Sequence, residues 1–407
     1  MALPSFLSEI DNRQADMLQT VSRWANINSG SHNLGGLGAM AAELEAAFVK
    51  TGGEVKICPS EPMTVIDATG NSTRMSVGNI IHVSKRPQAN KRVLLVGHMD
   101  TVFGQDSPFQ SCYEGVDGKL HGPGTADMKG GLVVMLNALI AFENSPHYTQ
   151  IGWDVLINAD EEIGSHGSAA LLHELGAKAD AGMVYEPSMP DGTFAGARKG
   201  SGNFTVTVKG RAAHAGREHH LGRNAIAALA RLLGHIDQLS GMRDGLTINI
   251  GKIAGGDALN VVPDLAQMSF NVRLQSPDDQ NWLLGKLEDI IAHCNAQDGI
   301  IADLQGGFSR PPKPMTPALE GFFELAADCG HDLGIDVRHV ATGGCCDGNN
   351  LAAAGLATID TLGVCGANIH SDQEYMIIDS LTARAKLSAL ILHRLASNPD
   401  LFPNRSA

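Results

Sequence analysis

The feature that most narrows what this 407-residue chain can fold into is a series of short runs, apolar at nearly every position, that alternate with helical stretches. Val93 to Val96, Trp153 to Ile157 and Met183 to Tyr185 are such runs, and Lys129 to Phe142 and Ser168 to Leu175 are helical stretches between them. A strand that lacks polar alternation has both faces buried, which is the condition of a largely parallel sheet covered by helices on each side. Two helices are expected to open the chain. Met17, Leu18, Val21 and Trp24 recur at helical spacing within Ser8 to Trp24, and Met40, Leu44 and Phe48 repeat the pattern until Gly52-Gly53 ends it.

The rhythm changes after Gly200. Residues 203 to 208 alternate polar and apolar, 223 to 236 read as a helix, 246 to 253 and 265 to 274 as strands, and 280 to 293 as a second helix. That β-α-β-β-α order with half-buried strands suits a small sheet with helices on one face. Beyond Pro311-Pro312 and Pro314 the earlier rhythm resumes, with a helix at 317 to 328, strands at 335 to 340 and 357 to 362, and a last helix at 380 to 395. A chain of this length exceeds one ordinary core. The expected fold class is therefore α/β, a mostly parallel-sheet domain with helices on both faces (1–199 and 312–407) interrupted by an inserted α+β domain (200–311).

Net charge of -14 with no basic stripe argues against nucleic acid as a partner. Met1 to Ile10 lacks a basic segment followed by an apolar run, and no apolar stretch of bilayer length is apparent, so the expectation is a cytoplasmic protein without a membrane partner. Seven cysteines without a C-x-x-C pair fit neither a disulfide framework nor a cysteine zinc site. Cys58, Cys112, Cys294 and Cys329 read as ordinary buried thiols; the adjacent Cys345 and Cys346 are less ordinary.

In an open α/β sheet, ligands collect beyond the carboxyl ends of the strands. Val93 to Gly97 runs into His98-Met99-Asp100, and Gly122-Pro123-Gly124 leads to Asp127-Met128-Lys129. Trp153 to Ala159 runs into Asp160-Glu161-Glu162, Met183 to Tyr185 into Glu186, and Ile359 to Val364 precedes His370-Ser371-Asp372. Singly, each has a plain structural reading as a surface histidine or a solvated acidic loop. Five such clusters on one sheet edge point to a site. Imidazoles and carboxylates without thiolate describe a borderline-to-hard cation such as zinc, cobalt or manganese. A shared carboxylate lets two cations sit side by side and activate water, and Asp127 is the natural bridge.

These segments resemble the zinc metallopeptidases that include glutamate carboxypeptidase, acetylornithine deacetylase, succinyl-diaminopimelate desuccinylase and aminoacylase. The resemblance spans nearly the whole chain. It rests on Gly97 to Val102, Gly122 to Gly131, Asp160 to Ser165, Glu186-Pro187, Gly210 to Gly216, Gly255 to Pro263 and His370-Ser371-Asp372. It implies a catalytic domain with an inserted lid and dimerisation domain, and two zinc ions per chain, replaceable by cobalt or manganese. Position by position, it implies His98 and Glu186 on one zinc, Glu162 and His370 on the other, Asp127 between them, Glu161 as general base, and Asp100 fixing the His98 tautomer. It further implies a homodimer in which His214 from the partner subunit stabilises the oxyanion, and substrate-binding roles for Asn260 and Arg273. A guanidinium holds a carboxylate in bidentate fashion, and Arg198 and Lys199 at the domain junction are further candidates to meet an acidic substrate.

The implied substrate is a small peptide or an N-acyl amino acid, cleaved at an amide bond next to a free carboxylate. The glutamate carboxypeptidase branch is nearest, through Gly210 to Ala225 and His370 to Tyr375, with N-acyl amino acid deacylation as the alternative. One departure stands out: Cys345 and Cys346 occupy a segment where relatives carry small hydroxyl residues, so both thiols are expected to face the pocket. Two other readings compete. A cysteine hydrolase would pair Cys345 or Cys346 with His370 but leaves the carboxylate clusters unexplained. A non-catalytic metal-binding assembly protein would have lost the base, whereas Glu161 is present.

Overall fold

Six strands form the main sheet in the order Glu54–Cys58, Ile80–Lys85, Gly152–Asn158, Arg92–His98, Ala181–Val184, Thr358–Ile359, in a computed structural model that describes residues 4–404. Five strands point the same way and Ile80–Lys85 alone runs against its neighbours. Alternate residues of the apolar strands enter two separate cores. Val93, Leu95, Val155 and Ile157 pack with the helices Gly130–Glu143 and Ser380–Ser397, while Leu94, Val96 and Leu156 pack with Ala169–Lys178 and Asp347–Ala353. That double burial is why these runs carry no polar alternation.

The helical stretch Thr125–Glu143 is long and apolar enough to cross a membrane, with a mean hydropathy of 1.3, which corrects the expectation that no such stretch exists. It is 94% buried inside the fold and serves as the central core helix.

Residues 200–310 contribute an antiparallel sheet in the order Thr247–Gly255, Leu265–Leu274, Gly200–Lys209, Ile301–Arg310. The helices Ala225–Asp237 and Pro277–Asn295 cover one face, and the core between them, including Phe204, Val206, Met268 and Phe270, draws only on residues 204–308. The even-numbered residues of the two central strands point into that core, so the odd-numbered ones line the other face.

Several elements depart from the sequence-based expectation. The opening helix is two, Ser5–Asp11 and Gln14–Ala25, broken at Asn12-Arg13. Ile301–Arg310 is a further strand that Gly306 and Gly307 disguise. The strand expected at 357 to 362 shortens to Thr358–Ile359, and the one at 335 to 340 appears as His339–Thr342, paired with Phe194–Arg198. Cys294 and Cys329 are buried as expected, whereas Cys58 and Cys112 are only partly so. A hairpin, Met63–Ile66 with Ser72–Met75, reaches from the main domain to the smaller sheet, where Gln267 Nε2 donates to the Asp67 carbonyl at 3.1 Å. Another antiparallel sheet, Gly366–Ala367, Tyr375–Ile377, Lys119–His121, Tyr113–Glu114, ties the His370 loop to the strand that enters the Gly122-Pro123-Gly124 turn.

Candidate metal centre and active site

Adjacent parallel strands set four of the acidic and imidazole groups side by side. His98 ends Arg92–His98, Glu161 and Glu162 form the turn that follows Gly152–Asn158, and Glu186 lies two residues past Ala181–Val184. Asp127 enters from the glycine-rich turn and His370 from the loop of the peripheral sheet. His98 Nε2 lies 3.1 Å from Asp127 Oδ1 and 3.7 Å from Glu186 Oε1. His370 Nε2 lies 3.3 Å from Asp127 Oδ2 and 3.0 Å from Glu162 Oε2. Each oxygen of Asp127 thus faces a different histidine, and each histidine has its own glutamate.

His370 has φ of 64°, a left-handed conformation that is uncommon outside glycine and costs about 1–3 kcal/mol.

Asp100 is fully buried beneath this cluster. Its Oδ1 and Oδ2 accept from the Glu161 and Glu162 amides at 3.2 Å each, Oδ2 also accepts from Ser31 Oγ at 2.7 Å, and Oδ1 lies 3.3 Å from His98 Nδ1. One carboxylate therefore orients both an imidazole and the acidic turn. Glu374, equally buried, accepts from the amides of Gly124, Ala126 and Asp127 at 3.1, 2.9 and 3.0 Å and so fixes the backbone that presents Asp127. Arg310 bridges Glu161 Oε1 at 2.7 Å and Asp347 Oδ1 at 2.6 Å. Sequence reasoning gave neither Glu374 nor Arg310 a role. Glu374 sat inside the motif around His370, whereas a lone arginine before Pro311-Pro312 carried no signal.

The electrostatics of the cluster are those of a cation site. Burial and the charge of Asp127 push Glu162 up to about 8, and the same two causes hold Glu186 well above the usual carboxylate range. Burial also raises Glu161 to about 7, against the opposing pull of Arg310. His98 is driven down by burial, yet Asp100, Asp127 and Glu186 outweigh that and leave it well above an ordinary imidazole, while Asp127 and Glu162 raise His370 to about 11. Four crowded carboxylates thus favour holding protons, on the glutamates as well as on the two imidazoles, and divalent cations would take over the protons' task. Imidazole nitrogen and carboxylate oxygen in this number fit zinc, cobalt or manganese, and groups of three such atoms converge at His98, Glu161, Glu186 and at His98, Asp127, Glu162.

A cavity of about 500 Å³ opens on these groups. Its lining also includes Arg273, Cys345 and Cys346. Arg273 Nη1 donates to Cys345 Sγ at 3.0 Å, and Cys345 Sγ donates to the Lys199 carbonyl at 2.9 Å. Burial raises both thiols, which keeps them neutral, and their partners are Arg273, Lys199, Asp360 and Gly348 rather than a histidine. A cysteine nucleophile paired with His370 is not what this geometry builds. Arg198 is committed to both oxygens of Asp360, at 2.8 and 3.0 Å, and Lys199 Nζ to the Gly245 carbonyl at 2.7 Å.

His214 and Asn260 lie outside this cavity. Both are exposed and adjacent: Ala213–His214 pairs with Val261–Val262, and the Ala215 amide donates to the Asn260 carbonyl at 2.9 Å. Around them Leu259 is fully exposed at 102% and Val261 is 42% exposed.

A family model described as "Peptidase family M20/M25/M40" matches residues 94–394. Carboxypeptidase G2 of Pseudomonas sp. (strain RS-16) is 27% identical over 395 residues, covering 95% of this chain and 91% of that protein. Succinyl-diaminopimelate desuccinylase of Hahella chejuensis is 28% identical over 325 residues, covering 74% and 82%. Among solved structures, a tripeptidase from Staphylococcus aureus superposes with a TM-score of 0.72 at 23% identity over 95% of this chain and 99% of that one.

Proposed function

The chain belongs to peptidase family M20/M25/M40 and is a hydrolase of the peptidase and amidohydrolase kind; from that premise we propose that it is a two-zinc carboxypeptidase releasing a C-terminal amino acid such as glutamate. The observation that carries this is the pairing of Asp127, one oxygen toward His98 and the other toward His370, in a cavity that Arg273 also lines. His98 and Glu186 would hold one ion, Glu162 and His370 the other, and Asp127 both. Bound metal would supply Lewis-acid polarisation of the scissile carbonyl and activation of water.

The chain's own groups supply the rest. Glu161, raised by burial and steadied by Arg310, takes a proton from the attacking water and returns it to the nitrogen as the C–N bond breaks. Arg273 is placed to bind the substrate carboxylate at a distance from that reaction, with Cys345 fixing its guanidinium.

His214 and Asn260 share one exposed edge flanked by Leu259 and Val261, which supports a homodimer in which both reach the partner's cavity together. The same reading makes residues 200–311 the lid and dimerisation domain. An N-acyl amino acid deacylase remains the second reading because a desuccinylase is also among the relatives and breaks the same kind of bond. Assay of a panel of N-acyl amino acids, dipeptides and folate-like glutamates with added zinc tests the choice. Release of C-terminal glutamate from peptides and aroyl-glutamates supports the carboxypeptidase, and turnover confined to simple N-acyl amino acids contradicts it.

A further inference from the structure

The catalytic cavity does not end at Arg273. It shares Ile163, Asn203 and Ser309 with a second cavity of about 990 Å³ that runs along the helix-free face of the smaller sheet. The two together exceed the space that a single dipeptide or small N-acyl amino acid needs, for one small-molecule site commonly occupies about 300–1,000 Å³. The floor of the second cavity is laid largely by side chains that hydrogen-bond without charge, Thr205, Asn249, Ser269, Asn271 and Gln305, with Lys252, in register with Ser269, adding one positive charge. Its roof is the apolar strand Met63–Ile66 of the hairpin that reaches over from the main domain.

Register gives the floor a direction. Along Leu265–Leu274, Arg273 faces the catalytic cavity, and Asn271 and Ser269 follow on the same face at steps of about 7 Å for each pair of residues. Arg273 to Ser269 therefore spans roughly 14 Å, the length of about four residues of extended chain. Gln305 Oε1, on Ile301–Arg310, two strands away from Leu265–Leu274 and in register with Thr205 on the strand between, is buried with no hydrogen-bond partner among the described residues. A buried carbonyl oxygen left unpaired is costly, and a ligand N–H would satisfy it.

We propose that this groove is an extended substrate subsite: with the C-terminal carboxylate at Arg273, the residues on the amino side of the cleaved bond leave the acidic cluster past Ile163 and Ser309, which line both cavities, and run in extended form over the amide-bearing floor and beneath Met63–Ile66, so that oligopeptides rather than dipeptides are the preferred substrates. A mostly uncharged floor of hydrogen-bonding side chains matches a peptide backbone, and the mainly apolar roof takes its side chains. The inference rests on the amide-hydrolase reading of the adjoining cavity, deepens it to a substrate class, and is tested by binding rather than by turnover alone.

The zinc-loaded Glu161→Gln variant is titrated calorimetrically with N-acetyl-(Ala)n-Glu, n running from 0 to 4. The expected result is a Kd that tightens by roughly tenfold in all by n of 3 and then levels, the scale of one or two net hydrogen bonds. In Gln305→Leu, which removes an acceptor that has no partner to lose, and independently in Val65→Arg at the roof, the ratio of Kd between n of 0 and n of 3 collapses toward one. A Kd that does not tighten with length overturns the groove, as does an undiminished ratio in both variants. Tightening with length while the wild-type enzyme releases no glutamate sustains the groove and overturns the carboxypeptidase reading instead.

Discussion

Glu161 and Glu374 show how environment assigns different work to two buried carboxylates. Glu161 contacts Arg310 at 2.7 Å and lines the cavity, and the proposed function gives it the proton transfer. Replacing it with Gln is expected to keep metal content while lowering kcat by about two to four orders of magnitude, the scale of a positioned acid–base group. Unchanged kcat would remove it from the reaction. Among the described residues, the Glu374 carboxylate accepts its hydrogen bonds from backbone amides of the turn that carries Asp127. It positions a ligand without being one. Glu374→Gln should therefore weaken metal affinity by about 10–100-fold, the usual cost of losing a group that orients a metal ligand. A zinc titration of the apo-variant, read beside its melting temperature, checks this: activity should recover at raised zinc, and unaltered affinity would contradict the assignment.

At the scale of elements, what was legible in the sequence was whatever local chemistry repeats. The strands Arg92–His98 and Gly152–Asn158 announce themselves because both faces are buried, and the residues just past them are therefore where ligand types stand out. His98, Glu161, Glu162 and Glu186 were found in that way, and the structure brings them together with Asp127 and His370. What stayed hidden depends on contacts far apart in sequence. The two- and three-residue strands that deliver His370 have no periodicity to read, and Arg310 meets Glu161 across 149 positions. The hairpin Met63–Ile66 and Ser72–Met75 is half exposed and packs against a surface built some 200 residues later, so neither its existence nor its role as a roof was visible in its own composition. The break near the start of the chain is equally quiet, because Asn12-Arg13 separates the first two helices without glycine or proline.

The whole molecule is an acidic cluster held at one sheet edge, with Arg273 of the smaller four-stranded sheet lining the same cavity and His214 exposed on a separate two-stranded pairing. If His214 serves the partner's cavity, subunits bearing His214→Ala and subunits bearing Glu161→Gln should complement when mixed. Each heterodimer then has one cavity with its own Glu161 and a partner's His214, so about a quarter of wild-type activity should return in a random mixture, given a loss of about a hundredfold for a missing oxyanion donor. Verified heterodimers no more active than their parents would show that His214 does not act across subunits. The central claim, however, is that the cluster of His98, Asp127, Glu162, Glu186 and His370 exists to hold two cations. It is tested most directly by measuring metal content and hydrolysis on the same preparation through chelation and refilling. The account predicts about two ions per chain, activity that disappears as they are removed, and recovery with zinc, cobalt or manganese; a metal-free protein that retains full activity would contradict it.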